Sequence, residues 1–513
     1  MTKIPFTKYA TIIIIIITAI VTSACTANNT SSETKPLTVL QGVDATTLDP
    51  AMHSETPTGN IERQIYDTLL NQTSDMKIEP WLAKSYKMIN ETTWQFKLHE
   101  NIKFHNGDQL TASDVKFSID RILNKANKSS QLSNYSAISS VEVVDQYTVT
   151  IKTENPYPLL LTRLAGLRIV PEHYVKEVGN QQFALNPIGS GPYKLKEWVK
   201  DEYVALEANE DYWLGAAEIK ELVFKPVPEA AARVMALQKG EADIIINLPP
   251  HQIASIEENK NTKIEEVASS RFIMLPFTTK NEVVNNKKVR EAISYAIDVN
   301  SIIQNIFAGK ATANTQPIAS YDLGYNNNLK PLSYNPEKAK QLLKEAGYEK
   351  GIAITMGSPS GRYMMDKEVA EAIKAQLEEV GIKVKLTFTE WGNYVSQILA
   401  GTINYDLWLI GWGNSTFDAG STLDFWVNSE HDTCYYRINE QVNNKINNLL
   451  NKALKTVDDE QREKAYQEII KQVNNDIGFV NLYQQVDLYG VSSRLNWKAR
   501  PDESIRLYEA SFR

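Results

Sequence analysis

A chain of 513 residues exceeds what one hydrophobic core holds, so two or three lobes are expected. With 54 Lys and Arg against 62 Asp and Glu, the net charge of −8 argues against nucleic acid as the main partner. The 42% hydrophobic and 23% charged content is that of a globular chain, not of a disordered or membrane-embedded one.

At the N-terminus Lys3 and Lys8 precede an apolar run from Ile12 to Val21, then Thr22-Ser23-Ala24-Cys25. The run is about half the roughly 20 residues a bilayer span needs and fits the apolar region of a secretory signal, here 1–24. The small residues before Cys25 resemble a bacterial lipoprotein box, which implies lipidation of Cys25, although Thr22 stands where that box usually has Leu, Val or Ile. A signal-peptidase cut near Ala24 that leaves a free exported protein is the other reading. Residues 25–35 form a polar tether of the kind that spaces a domain off a membrane. The other cysteine, Cys434, leaves an exported chain without an intramolecular disulfide and reads as a small core residue.

LTVLQG from Leu37 reads as a strand, TTLDPAMHSETPTG as a loop, and Ile61 to Leu70 as a helix by apolar spacing. Trp94, Phe96 and Leu98 alternate as a half-buried strand, and Asn106-Gly107-Asp108 is a turn. Thr111 to Asp114 offers an N-cap and capping-box acid for a helix through Leu123. Here the chain resembles the peptide-binding proteins of bacterial ABC importers, solute-binding protein family 5. The matching words are the Trp-x-Phe-x-Leu strand, Lys103-Phe104-His105-Asn106-Gly107 and Ala112-x-Asp114-Val115. The resemblance makes this block scaffold and His105 a turn residue. It continues in NPIGSGPYKL, where the glycines around Ser190 permit a tight excursion, and in the helix, Gly240 and strand closing at Ile246. Ser190 lacks a nucleophile elbow and reads as a turn serine. Arg271 opens the strand RFIMLPF, which in the resembling proteins crosses between lobes.

Beyond it, Val289 to Asp298 is an amphipathic helix, and Asn335-Pro336 starts another that Gly347 stops. Ile352–Met356, Val384–Phe388 and Leu407–Ile410 read as strands alternating with helices over Met365–Val380 and Tyr394–Ala400, a parallel sheet with right-handed crossovers. Gly411 then breaks the last strand into a polar loop with Trp412, Asn414, Ser415 and Asp418, at the carboxyl edge of strands where ligands bind. The tail reads as helices over Val442–Thr456 and Glu460–Asn474, with separate strands at Phe479–Tyr483 and Leu488–Val491.

The six histidines are scattered with no metal-ligand spacing, the chain has no phosphate-binding glycine motif, and no nucleophile and base form a constellation. No metal, no cofactor and no enzymatic activity are therefore expected. A short peptide is a zwitterion, and its receptor needs a carboxylate for the ammonium and a cation, best an arginine, for the carboxylate. Arg362 in SPSGRYMMD matches by position the arginine that binds peptide carboxylate in the dipeptide-binding relatives. Those relatives carry an aspartate three residues after the Trp of the Gly-Trp pair, where this chain has Ser415. Asp418 instead fits the pattern GW-x-x-S-T-x-D-A of a branch that includes glutathione-binding relatives, with Gly420 where a further aspartate is expected. Trp391 and Trp412 are the candidate aromatic walls, and Asn414 and Ser415 the small polar contacts.

The resemblance implies a two-lobed α/β periplasmic-binding-protein fold, type II, in the large cluster C form with an extra subdomain in lobe I. The expected boundaries are 36–268 for lobe I, with the extra subdomain over about 60–185, 269–480 for lobe II, and 481–513 returning to lobe I. The expected function is that of a lipid-anchored binding component of an ABC importer, delivering di- or tripeptides, glutathione among the candidates, to its permease as a monomer. A receptor for haem or a metal chelate, and a surface interaction protein that kept the fold, remain alternatives.

Overall fold

Two strands of unusual length organise the molecule. Thr262–Pro276 and Phe479–Ser492 pair antiparallel along their whole length, from Thr262 opposite Ser492 to Pro276 opposite Phe479. The register slips between Ala268 and Phe272, so Ser269, Ser270 and Arg271 leave the ladder in mid-strand. A bulge bends its strand and re-aims the side chains on it. The computed structural model describes residues 35–431, 434–437 and 439–513; the expected signal segment, Cys25 and most of the tether lie outside them.

On one side of this pair lie, in order, Ile244–Ile245, Leu37–Gln41, Glu221–Pro226, Tyr203–Ala208 and Tyr193–Val199; on the other lies Ile410–Gly413. Leu37–Gln41 runs parallel to its neighbours on both sides, and its side chains are buried. A separate four-stranded antiparallel sheet orders Ala83–Asn90, Thr93–Leu98, Thr148–Thr153 and Ile138–Asp145. Phe96 and Leu98 of the alternating segment are buried in its core, against Val115 and Ile119 of the helix Ala112–Leu123. That helix starts at the expected capping box of Thr111 and Asp114. The expected parallel unit is present: Ile382–Thr389, Ile352–Pro359 and Leu407–Trp408 lie side by side in that order, all parallel, joined through the helices Asp366–Glu379 and Trp391–Leu399.

Three readings of local structure change. The helix expected over Ile61–Leu70 spans Thr56–Ile65, its Pro57 standing in the first turn where a missing N–H is harmless. Leu70–Gln72 is a strand, so the last four residues of the expected loop are helix and half of the expected helix is not. The two tail strands are one strand, Phe479–Ser492, because Gln484 and Gln485 pair with Phe272 of the long partner and with the short strand Ala311–Ala313. The strand expected over Leu407–Ile410 divides at Leu409: Leu407–Trp408 stays in the parallel sheet, and Ile410–Gly413 crosses to pair with Arg271–Met274. Gly411 is therefore a strand residue. A Cβ there would lie 2.7 Å from the side chains of Ile273 and Tyr363, so glycine allows the close approach.

Cys434 is buried, and burial pushes its thiol up to about 11, as suits a core residue. His105 braces its turn, one ring nitrogen on the Gly191 carbonyl at 3.0 Å and the other receiving the Gly189 N–H. Gly189 and Gly191 lie against the backbone of Ile65, where a Cβ would come within 2.1 and 2.6 Å. Ser190 is buried and donates to Asp67 at 3.1 Å. Among the described residues no helix is long and apolar enough to cross a membrane.

Candidate functional site

The bulge in the long strand aims Arg271 into the centre of the molecule. Its Nε donates to Glu503 Oε1 at 2.5 Å and Nη2 to the other carboxylate oxygen, while Nη1 reaches the Gly411 carbonyl at 2.8 Å and Nη2 the Thr56 hydroxyl at 3.0 Å. One side chain thus ties the long strand to the Gly411 strand, the first helix and the C-terminal segment. Burial opposes both charges, and their pairing outweighs it, raising the Arg271 pKa and lowering that of Glu503.

Beside this pair opens a cavity of about 170 Å³, walled by His53, Glu55, Arg271, Ser415, Asp502 and Glu503 among others. His53 lies between Glu55 at 2.9 Å and Glu62 at 2.6 Å. Burial works against its charge, but Glu62 and Glu55 prevail and raise its pKa to about 10, so the ring is an imidazolium donating from both nitrogens. This wall is formed by the start of the Thr56–Ile65 helix and the segment before it, within what the sequence reads as a loop.

Arg362 stands at an adjoining cavity of about 30 Å³, which shares Thr56 and Glu503 with the larger one. Its turn is closed by Asp366, whose carboxylate accepts the backbone N–H groups of Gly361, Arg362 and Tyr363 at 3.1, 2.9 and 3.0 Å. The turn docks on Gly42 so closely that a Cβ there would lie 1.7 Å from the Gly361 carbonyl oxygen. Asn247 donates to the Arg362 carbonyl at 3.1 Å. The guanidinium lies over two rings, Tyr363 at 4.8 Å and Trp391 at 5.1 Å from their centroids. It is 6% exposed, and its Nε has no hydrogen-bond partner among the described residues. Burial and the neighbouring Arg271 both lower its pKa. Asp487, from the long C-terminal strand, lines the same cavity. One of its oxygens accepts from Gln485 at 2.6 Å and the other has no partner among the described residues. Burial and Glu503 push its pKa up to about 8.

The structure brings Arg362 and Trp391 together and puts Ser415 on the larger cavity. Trp391 is buried, edge-on to Tyr363 at 6.0 Å. Trp412 faces the other way: it stacks on Phe425 at 4.5 Å and donates to the Thr422 hydroxyl at 3.2 Å. Asn414 is buried, donating to the Asp418 carbonyl at 3.0 Å and accepting from the Thr416 and Ser421 hydroxyls at 2.7 and 2.9 Å. Asp418 is also turned inward. One oxygen caps the helix Ala419–Val427 through the Gly420 N–H at 2.8 Å, and the other pairs with Arg462 Nε at 3.0 Å. The ammonium-binding carboxylate expected at Asp418 is thus engaged inside the protein, and Trp412 lies in the strand before this loop, stacked on Phe425.

Sequence reasoning passed over Glu55, Arg63, Asp487 and Glu503 as site residues and noted Arg271 only as the head of a strand. Two carried a signal: Arg271 heads the apolar run to Phe277 and Asp487 stands between Val486 and Leu488, and a charge in a buried strand needs a partner. Glu55, Arg63 and Glu503 carried none, since each looks like an ordinary surface charge until distant segments meet.

A model of the family described as bacterial extracellular solute-binding proteins, family 5, middle, matches residues 77–433. The glutathione-binding protein GsiB of Escherichia coli O157:H7 is 31% identical over 451 residues, covering 84% of this chain and 85% of that one. Among solved structures, the periplasmic binding protein DppA from Helicobacter pylori in complex with the peptide STSA is 27% identical with a TM-score of 0.85, covering 93% of this chain and 98% of that one. The oligopeptide-binding protein AppA from Bacillus subtilis in complex with a nonapeptide is 26% identical with a TM-score of 0.86, covering 93% and 100%. The fold is the two-lobed α/β periplasmic-binding-protein fold expected from the sequence.

Proposed function

This chain belongs to the bacterial extracellular solute-binding proteins, family 5, and from that premise we propose that it is the substrate-binding lipoprotein of an ABC importer, taking up di- and tripeptides with glutathione among them. The observation that carries the reading is Arg362, a buried guanidinium held over two rings whose Nε donates no hydrogen bond among the described residues, beside the cavity. An unmatched buried cation is strongly disfavoured, and a ligand carboxylate removes the penalty while making bidentate, charge-assisted hydrogen bonds. The likeness to GsiB and to peptide-bound DppA and AppA supports the ligand class.

In this proposal Arg362 takes the peptide carboxylate, Trp391 and Tyr363 hold the arginine in place, and Ser415 offers hydrogen bonds from the cavity wall. Asp487, with its unpartnered oxygen, gives up its proton to solvent as the ligand ammonium arrives and takes that ammonium in place of Asp418. Asn414, Asp418 and Trp412 then shape the loop that carries Ser415. Lobes of 36–268 and 269–480, with a return over 481–513, close on the ligand by hinge bending, and closure marks the loaded protein for the permease. Lipid on Cys25 holds the monomeric protein at the membrane, so Cys25→Ser should release it into the soluble fraction.

A thermal-shift panel of di- and tripeptides, glutathione, nickel–histidine and haem tests the ligand class. A rise in Tm with peptides or glutathione is expected. A response to nickel–histidine or haem alone, or to none of them, would overturn the peptide reading.

A further inference from the structure

We infer that Arg63 and Arg163 form a second anion subsite in the larger cavity, so that the preferred ligand is a short peptide carrying an acidic group beyond its terminal carboxylate. The inference rests on the peptide reading above and narrows it.

Arg63 lies in the last turn of the Thr56–Ile65 helix, Arg163 on the helix Leu160–Gly166, and both line the 170 Å³ cavity. The Nε of each is buried without a hydrogen-bond partner, and neither guanidinium forms an ion pair among the described residues. The other cations nearby differ in having partners for their remaining nitrogens, although the Nε of Arg168 and of Arg506 is likewise buried without a hydrogen bond among the described residues. Arg168 lies 3.5 Å from Glu62 and donates to the Gly59 carbonyl at 3.2 Å. Arg500 pairs with Asp502 at 2.9 Å and donates to the carbonyls of Gln72 and Thr73. Arg506 is bound to Asn71 and the Gln72 carbonyl. For Arg63 burial and then Arg168 lower the pKa to about 9; Asp502 is the opposing charge, and Arg506 and Arg500 add to the repulsion.

The carboxylates on the cavity wall are already engaged: Glu55 with His53, Glu503 with Arg271, Asp502 with Arg500. The wall therefore has two guanidiniums in excess although the whole chain carries −8. A simple zwitterionic peptide, bound through Arg362 and Asp487, leaves that excess in place. A structural arginine is paired in the unliganded protein, as Arg271 is; these two are not. An added ligand carboxylate in this cavity would meet guanidiniums that have no hydrogen bond or ion pair among the described residues, and the planar guanidinium suits it.

Isothermal titration calorimetry of the protein, stripped of co-purified solute, against Ala-Ala-Ala, Ala-Asp-Ala and Ala-Lys-Ala tests this. Ala-Asp-Ala should bind the wild type about tenfold or more tightly than Ala-Ala-Ala, and Ala-Lys-Ala more weakly than either. In Arg63→Gln and Arg163→Gln the advantage of Ala-Asp-Ala should shrink to about threefold or less while the affinity for Ala-Ala-Ala is kept, and Arg63→Lys should restore part of it. Equal affinity of the wild type for all three peptides overturns the subsite and leaves the peptide reading intact. Binding of none of them overturns both. A glutamine variant that weakens all three alike also overturns the subsite, and the wild-type comparison decides the matter even if a variant fails to fold.

Discussion

Arg362→Gln should move stability and binding in opposite directions. In the unliganded protein the guanidinium is 6% exposed, its Nε is unpartnered, and its favourable contacts are the rings of Tyr363 and Trp391 at 4.8 and 5.1 Å. Two desolvated cation–ring contacts contribute about 2 kcal/mol each. Burying an ion without a counter-charge costs several kcal/mol even after relaxation, and the nearby Arg271 adds repulsion. Glutamine keeps most of the volume without the charge, so the stripped variant should match or exceed the wild type in urea unfolding, by about 1 to 2 kcal/mol. Peptide affinity should fall, because truncating one partner of a buried charge pair costs about 2 to 5 kcal/mol, or roughly 30-fold to several thousandfold in Kd. Urea titration and calorimetry on the same stripped preparation read both quantities. A stripped variant less stable by more than about 1 kcal/mol, with Kd unchanged, would refute the reasoning, since Arg362 would then be a structural cation.

Gly42→Ala pushes a Cβ to 1.7 Å from the Gly361 carbonyl oxygen, across the two proposed lobes, and should hold them apart. Calorimetry should show about tenfold or greater loss of affinity with little change in unliganded Tm; unchanged affinity would count against closure at this contact. Asp418→Asn removes one of the two carboxylates on Arg462, at 3.0 Å, and leaves Asp459 at 2.8 Å, so it should lower stability in urea by about 1 to 2 kcal/mol. Peptide Kd should stay within about threefold, whereas a loss of binding without loss of stability would return Asp418 to the ligand. Asp487, raised to about 8 by burial and Glu503, holds a proton in the folded state that the unfolded chain releases near pH 4. Its contribution to stability is therefore present at low pH and is lost as pH rises from about 4 to about 8. Asp487→Asn should flatten that decline, giving a variant that gains on the wild type between pH 5 and pH 8.5; parallel urea curves for the two proteins would exclude the titration.

Legibility followed the range of the interactions. The capping box at Thr111, the parallel unit from Ile352 to Trp408 and the arginine before the Asp366 helix were all readable, because helix starts, strand alternation and glycine stops act over a few residues. The Leu407–Gly413 segment was read as a strand and a loop because an apolar run does not state which sheet each half joins. Leu407 pairs with Met356 and Trp412 with Phe272, and those partners are far away in the chain.

Arg362 was singled out by its match in position to the arginine of the dipeptide-binding relatives, while its surroundings were not readable: that it is buried, without a partner for its Nε among the described residues, and flanked by Tyr363 and Trp391 follows from packing alone. Asp418 shows the converse. Its position after the Gly-Trp pair suggests a ligand contact, but Arg462, 44 residues on, claims its carboxylate. The sequence by itself determined the helices and strands of the α/β units through local periodicity, and the fold class and the family through motifs that resemble family 5. Only the tertiary structure decided which charges face the cavity unmatched, because pairing depends on a few ångströms between segments such as Arg63, Arg271 and Glu503 that no local pattern relates.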